Sequence, residues 1–222
     1  MSDRAINRWG NKLLKGLNEK WSDIPEQAQT GFTIFYSPIK FRPYLLIIGD
    51  NPGGNEFIKQ RTLPKEHEYF KYDYPLALSM RDKIFKGEKL SKILQSSVKT
   101  NRIFFKTRNL KQFESLSNSK DMETYCFQIL QQIIKTLEPN VIFAESLGTF
   151  RKLSTFEKVI LSKEKNNKAL LVYGKYKNIP VFGINHPSRA SFHKINDEDW
   201  SKVNTKLLEI FQEDKLDLQT FY

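Results

Sequence analysis

A chain of 222 residues, 39% apolar and 13% aromatic, can bury an ordinary core, and its length favours one domain over two. The net charge of +11 suits a polyanionic partner, nucleic acid being the usual one, against the plainer reading of a lysine-rich surface. No run approaches the roughly 20 apolar residues of a membrane span, the N-terminus has no apolar signal-peptide core, and the lone Cys126 excludes an internal disulfide or an iron–sulfur cluster held by four cysteines of this chain. An intracellular protein is expected, cytoplasmic, nucleoid-associated or nuclear, with no membrane, metal or cofactor.

In chain order, Ile6, Trp9, Leu13, Leu14 and Leu17 fall at helical spacing and predict a helix over Ala5 to Trp21. Residues 22–43 read as irregular and carry three prolines. Tyr44 to Ile48 is an apolar run bounded by turn residues, a buried strand. It empties into Gly49-Asp50-Asn51-Pro52-Gly53-Gly54. Residues 55–80, with Phe57, Tyr69, Phe70, Tyr72 and Tyr74, lack a clear period, and such lengths are often functional loops. Arg102 to Phe105 reads as a second strand. A broad apolar stripe from Met122 to Leu137 marks the clearest helix, Asp121 to Leu137, with Ser119 or Asp121 as its cap and Pro139 as its stop. Cys126 lies on that stripe and reads as a buried, inert thiol. Val141 to Ala144 is a third strand, and Gly148 to Leu153 opens another helix.

The run Lys163 to Lys168 reads as a solvated loop. Leu170 to Tyr173 and Ile179 to Ile184 are strands, joined as a hairpin around Gly174-Lys175. The second of them empties into Asn185-His186-Pro187-Ser188-Arg189-Ala190-Ser191. Trp200, Val203, Leu207, Leu208 and Phe211 stripe a C-terminal helix. Strands alternating with helices, without repeats or a linker, predict a single α/β domain over residues 1–222.

Two polar, turn-rich loops thus follow two apolar strands about 130 residues apart. In an open parallel sheet, loops leaving strand C-terminal ends gather at one edge, where ligands bind. The first loop lacks the Gly-x-Gly-x-x-Gly spacing of dinucleotide sites and the Gly-Lys-Ser/Thr of a Walker loop. It partly resembles the Asn-Pro-Pro-Tyr turn of amino-methyltransferases, but Gly53 replaces the second proline and no aromatic follows. The second loop holds one of three histidines. His186 sits at a strand exit beside small hydroxyls and an arginine, groups suited to phosphate. His67 and His193 have no such setting and read as surface residues. No cluster has metal-ligand spacing, and no Gly-x-Ser-x-Gly elbow is present.

Taken together, Gly49-Asp50-Asn51-Pro52 and His186-Pro187-Ser188, with the strand–turn–helix from Pro139 through Gly148 and Phe150 between them, resemble the uracil-DNA glycosylase superfamily over roughly residues 44 to 192. Asparagine at position 51 is similar to the mismatch-specific and single-strand-selective branches. The resemblance implies a three-layer α/β/α fold around a mostly parallel four-stranded sheet. It also implies a monofunctional DNA glycosylase that hydrolyses the N-glycosidic bond of uracil or another altered base in single- or double-stranded DNA. Asn51 would hold the water, and His186 would stabilise the departing base. Gly49, Asp50, Pro52 and Gly53 would line the base, with Phe57 or Phe70 stacking on it. Gly54, Ser188 and Ser191 would meet DNA, and Arg189 or Phe192 would serve as the wedge, Ala190 being too small. An asparagine that reads the base edge is expected at the end of the second strand. The sequence aligns Lys106 or Thr107 there, with Asn109 just beyond. That departure leaves a catalytically silent glycosylase-like protein that binds nucleic acid as the alternative, and an unrelated α/β enzyme as a third reading.

Overall fold

In the computed structural model, residues 1–21, 31–53, 58–164, 166–189 and 195–212 are described; the side chains of Trp21, Ile58, Arg189 and Gln212 are not. The N-terminal helix α1 (Asp3–Trp21) buries Ile6, Leu14 and Leu17. Strand β1 (Gly31–Phe32) pairs in parallel with β3 (Ile58–Lys59) as a small separate ladder. The main sheet contains β2 (Leu45–Gly49), β4 (Val98–Asn101), β5 (Val141–Ala144), β6 (Lys158–Ser162), β7 (Ala169–Tyr176) and β8 (Ile179–Ile184), in the spatial order β4-β2-β5-β8-β7-β6. Four of these strands, β4, β2, β5 and β8, run parallel. Strands β7 and β6 add on antiparallel, so the sheet is mixed and six-stranded where four strands are expected from sequence.

The central strands are apolar on both sides because both sides are covered. Leu46, Ile48, Ile142 and Ala144 join one apolar cluster with α1, α6 (Ser119–Leu137) and α7 (Leu147–Leu153). Their alternates Leu45, Ile47, Val141 and Phe143 join another. That second cluster includes α3 (Pro75–Ser79), the π-helical turn Met80–Ile84 that continues it, α4 (Glu88–Gln95), and α8 (Asp197–Gln212) with Trp200, Val203 and Leu207.

Local chemistry accounts for most boundaries. Helix α6 ends where Glu138 takes a left-handed φ of 51° and Pro139 follows. Its N-cap is Asn118, without a side-chain bond, rather than Ser119 or Asp121. The hairpin β7–β8 turns at Lys177-Asn178, with Lys177 at φ 54°, three residues later than Gly174-Lys175 would place it. Gly174 lies inside the strand instead. A Cβ there would meet Ser154 Oγ at 1.9 Å and the Phe156 carbonyl at 2.3 Å. Residues 58–84 hold β3, α2 (Glu68–Lys71), α3 and the π turn, where the sequence predicts a loop over residues 55–80. Lys163, expected in a solvated run, pairs with Asp199 at 2.8 Å.

Both sheet edges are modified. Residues 34–37 close over β4 through a bridge from Phe35 to Thr100 and a Tyr36 N–H to Lys99 carbonyl bond of 3.0 Å. At the other edge, β6 shifts register on either side of Leu161. Among the described residues no helix is long and apolar enough to cross a membrane.

Candidate functional site

Register sets the heights of the two loops. Thr100, Ile48, Ala144 and Gly183 form one row across β4, β2, β5 and β8. Asn51 and His186 each lie three residues beyond that row, at the C-terminal edge of parallel strands. One strand, β5, stands between theirs, so the strand ends are two spacings apart, about 10 Å.

The first loop is held tightly. Gly49 has no room for a Cβ, which would sit 2.3 Å from Asn101 Oδ1 and 2.6 Å from Glu145 Oε2. Asp50 Oδ1 accepts from Thr149 Oγ1 at 2.7 Å and from Arg102 Nε at 3.3 Å. Burial pushes the Asp50 pKa up, but the Thr149 hydroxyl, the Arg102 charge and the Ser146 hydroxyl outweigh it, and the net shift is downward. Arg102 is itself bound to Glu123 at 2.7 Å. The Asp50 side chain therefore ties the loop to α7. Asn51 Nδ2 donates to Thr107 Oγ1 at 3.0 Å and to the Pro52 carbonyl at 3.2 Å. Pro52 is buried and Gly53 exposed. Gly54 and Phe57 lie outside the described residues.

The second loop leaves β8 through Asn185, which is buried and donates to the Ala169 carbonyl at 2.5 Å. His186 is partly exposed, with Nδ1 2.8 Å from Ser188 Oγ. Pro187–Arg189 is a 3-10 turn packed against α3. Ser188 is exposed. Ser191, Phe192 and His193 lie outside the described residues.

The second strand ends at Asn101, five residues before Lys106. The sequence predicts that strand over Arg102 to Phe105; β4 is Val98–Asn101. Lys106 and Thr107 follow it as buried residues, with the Lys106 N–H bound to the Gly31 carbonyl at 2.8 Å. Asn109 caps α5 (Leu110–Glu114), its Oδ1 accepting from the Gln112 N–H at 3.0 Å. Asn101, beside Gly49 in register, takes the strand-end position instead. Its Nδ2 donates to the Tyr36 hydroxyl at 2.9 Å.

Beneath Asn101 lies a buried charged group absent from the sequence expectations. Lys99 Nζ is 2.8 Å from Glu68 Oε1 and 3.3 Å from Glu145 Oε2, and lies over the Tyr36 and Tyr69 rings. The Tyr69 hydroxyl donates to Glu145. Burial, with Glu68 and Asp50 nearby, raises the Glu145 pKa well above the carboxylate range. Burial and the Glu68 charge likewise raise Tyr36 and Tyr74.

His67, a surface residue by its sequence setting, is 3% exposed. Its Nδ1 caps α2 by accepting from the Tyr69 N–H, and Nε2 is 3.1 Å from Ser97 Oγ. Burial and the Lys99 charge lower its pKa to about 3. The half-buried Phe70 meets the His67 ring edge-on at 6.0 Å. Among the described residues no group of three or more His, Cys, Asp or Glu could hold a metal ion. No protein-family model matches this chain and no curated protein is significantly similar to it.

Proposed function

We propose that the chain is a DNA glycosylase that hydrolyses the N-glycosidic bond of uracil or another altered base, in the manner of the uracil-DNA glycosylase superfamily. One observation carries the reading. Asn51 and His186 each follow one register row by three residues at the C-terminal edge of four parallel strands, and Asn101 ends the strand next to that of Asn51. The parallel strands lie in the spatial order second, first, third, fourth. On this reading they are the family's four-stranded centre, widened by β7 and β6. The asparagine expected to read the base edge is then Asn101, and the departure at Lys106 disappears.

The chemistry follows from the residue types. A base must leave the stack before its bond to sugar can be reached, at a cost of a few kcal/mol. Scission leaves a cationic sugar and an anionic base. His186 stabilises the anion: the Ser188 hydroxyl lies 2.8 Å from Nδ1, and in the tautomer in which it donates there the neutral ring carries its proton on Nε2 and presents a donor. Asn51 cannot act as a strong base, so its amide orients the attacking water. Asn101 has both a donor and an acceptor for a base edge, and Ser188 and the net charge of +11 serve the phosphates.

The test is release of base from single- and double-stranded oligonucleotides carrying uracil, hypoxanthine, xanthine or a T·G mismatch, read as alkali-labile abasic sites. Release by the unaltered chain is expected. His186→Ala should lower it by about 10²–10³-fold and Asn51→Ala by roughly 10²-fold, with salt-sensitive DNA binding retained. No release from any substrate refutes the proposal.

A further inference from the structure

We infer that Thr107 is a positioning residue that sets which end of the Asn51 amide meets the attacking water; the role rests on the glycosylase reading above. The inference comes from counting protons. A threonine hydroxyl has one proton to give. Thr107 Oγ1 gives its proton to the Asn109 carbonyl at 3.0 Å, an atom that can only accept. Toward Asn51, 3.0 Å away, the hydroxyl is therefore an acceptor. The Pro52 carbonyl, 3.2 Å from the same amide nitrogen, is an acceptor as well.

Two acceptors facing one end of the amide fix that end as NH2. A flipped amide would set Oδ1 against two lone-pair-bearing oxygens and leave the Pro52 carbonyl with the Thr107 N–H alone. The orientation is thus determined by partners, and Oδ1 is turned away from Thr107. Oδ1, the end turned away from both acceptors, is the end of the amide that can accept from water.

The relay is anchored at its far end. Asn109 caps α5 with its side chain, the Arg108 N–H donates to Gln112 Oε1 at 2.8 Å, and the Thr107 N–H reaches the Pro52 carbonyl at 3.3 Å. Residues 106–109, where the sequence suggests a base reader, thus act on the reaction through Asn51. An amide that only orients is sensitive to small displacements, since about 1 Å of misplacement can cost roughly 10²-fold in rate.

Three chains separate this role from simple packing: the unaltered protein, Thr107→Val, which keeps the shape and loses the hydroxyl, and Thr107→Ser, which keeps the hydroxyl. Single-turnover base release at saturating enzyme should slow about tenfold or more in Thr107→Val. DNA affinity should be unchanged, and Thr107→Ser should run close to the unaltered rate. Release by Thr107→Val at the full rate overturns the inference, as does Thr107→Ser falling as far as Thr107→Val. Should Thr107→Val fail to fold, Thr107→Ala against Thr107→Ser makes the same comparison. The Asn51 side-chain amide protons supply a readout independent of catalysis. By NMR both should exchange slowly in the unaltered chain, and one should exchange fast without the Thr107 hydroxyl. Unchanged exchange overturns the inference. If the unaltered chain releases no base, the glycosylase reading fails by itself, while the exchange measurement still tests the amide orientation.

Discussion

His67 should make the fold acid-sensitive through one ring. Both ring nitrogens are used in the neutral form: Nδ1 accepts from the Tyr69 N–H at 3.2 Å, and Nε2 faces Ser97 Oγ at 3.1 Å. The Ser97 hydroxyl donates to the Leu94 carbonyl at 2.7 Å, so its oxygen accepts from Nε2–H. Protonating Nδ1 would set N–H against N–H and add a charge near Lys99. The folded-state pKa, about 3, therefore lies below the ordinary value of 6.5. A depressed pKa contributes stability that is fully present above pH 6.5 and is lost as pH falls toward 3. Each pH unit inside that window costs up to about 1.4 kcal/mol. Between pH 7 and pH 5 the loss from this group comes to about 2 kcal/mol.

Asp50, with its lowered pKa, and Glu145, with its raised one, titrate in both the unaltered chain and a His67→Asn variant, so they cancel in the difference. Asparagine retains an acceptor for the helix cap and does not titrate. Urea unfolding at pH 7, 6 and 5 should show the unaltered protein losing about 2 kcal/mol more than His67→Asn. Equal losses would refute the buried neutral histidine as the source.

Two further outcomes are expected. Lys99→Met leaves the buried Glu145 and the partly buried Glu68 without their cation and should cost about 3–5 kcal/mol, seen as a fall in Tm of roughly 10 °C. Adding Glu145→Gln should restore part of it, and no restoration would mean the cluster is not held by charge. Cys126 is buried with its pKa pushed up to about 12 by burial. It should ignore a thiol reagent at pH 8 until denaturant is added, and then react with one equivalent.

Legibility from sequence followed the range of the interactions. The helices α1, α6 and α8 and the strands β2, β5 and β8 are visible because their apolar residues repeat locally. Strand β4 is hidden by Lys99 and Asn101, whose charge and polarity are satisfied by Glu68, Glu145 and Tyr36 from elsewhere in the chain. Reading that strand four residues late puts Lys106 just past its end, where the structure ends the strand at Asn101. Asn51 and His186 were legible because turn chemistry marks strand exits. The burial of His67 and the Asn51–Thr107 contact carry no local mark, since the partners are 30 or more residues apart. The short helices between residues 68 and 84 complete too few turns to show a period.

The treatment of the two sheet edges bears on how this chain behaves at high concentration. An edge strand offers a row of open backbone groups to any other strand. On the β4 side, residues 34–37 occupy that row. On the β6 side, the register shifts around Leu161 bend the ladder, and Lys158 lies exposed at its start. A six-stranded sheet with apolar central strands thus offers a neighbour's strand no regular open row at either edge, although Val159 and Phe156 are exposed beside β6. The two shifts sit on opposite strands, Ile160 being the extra residue of β6 and Leu170 that of β7, so deleting Ile160 would remove one of them and leave the other.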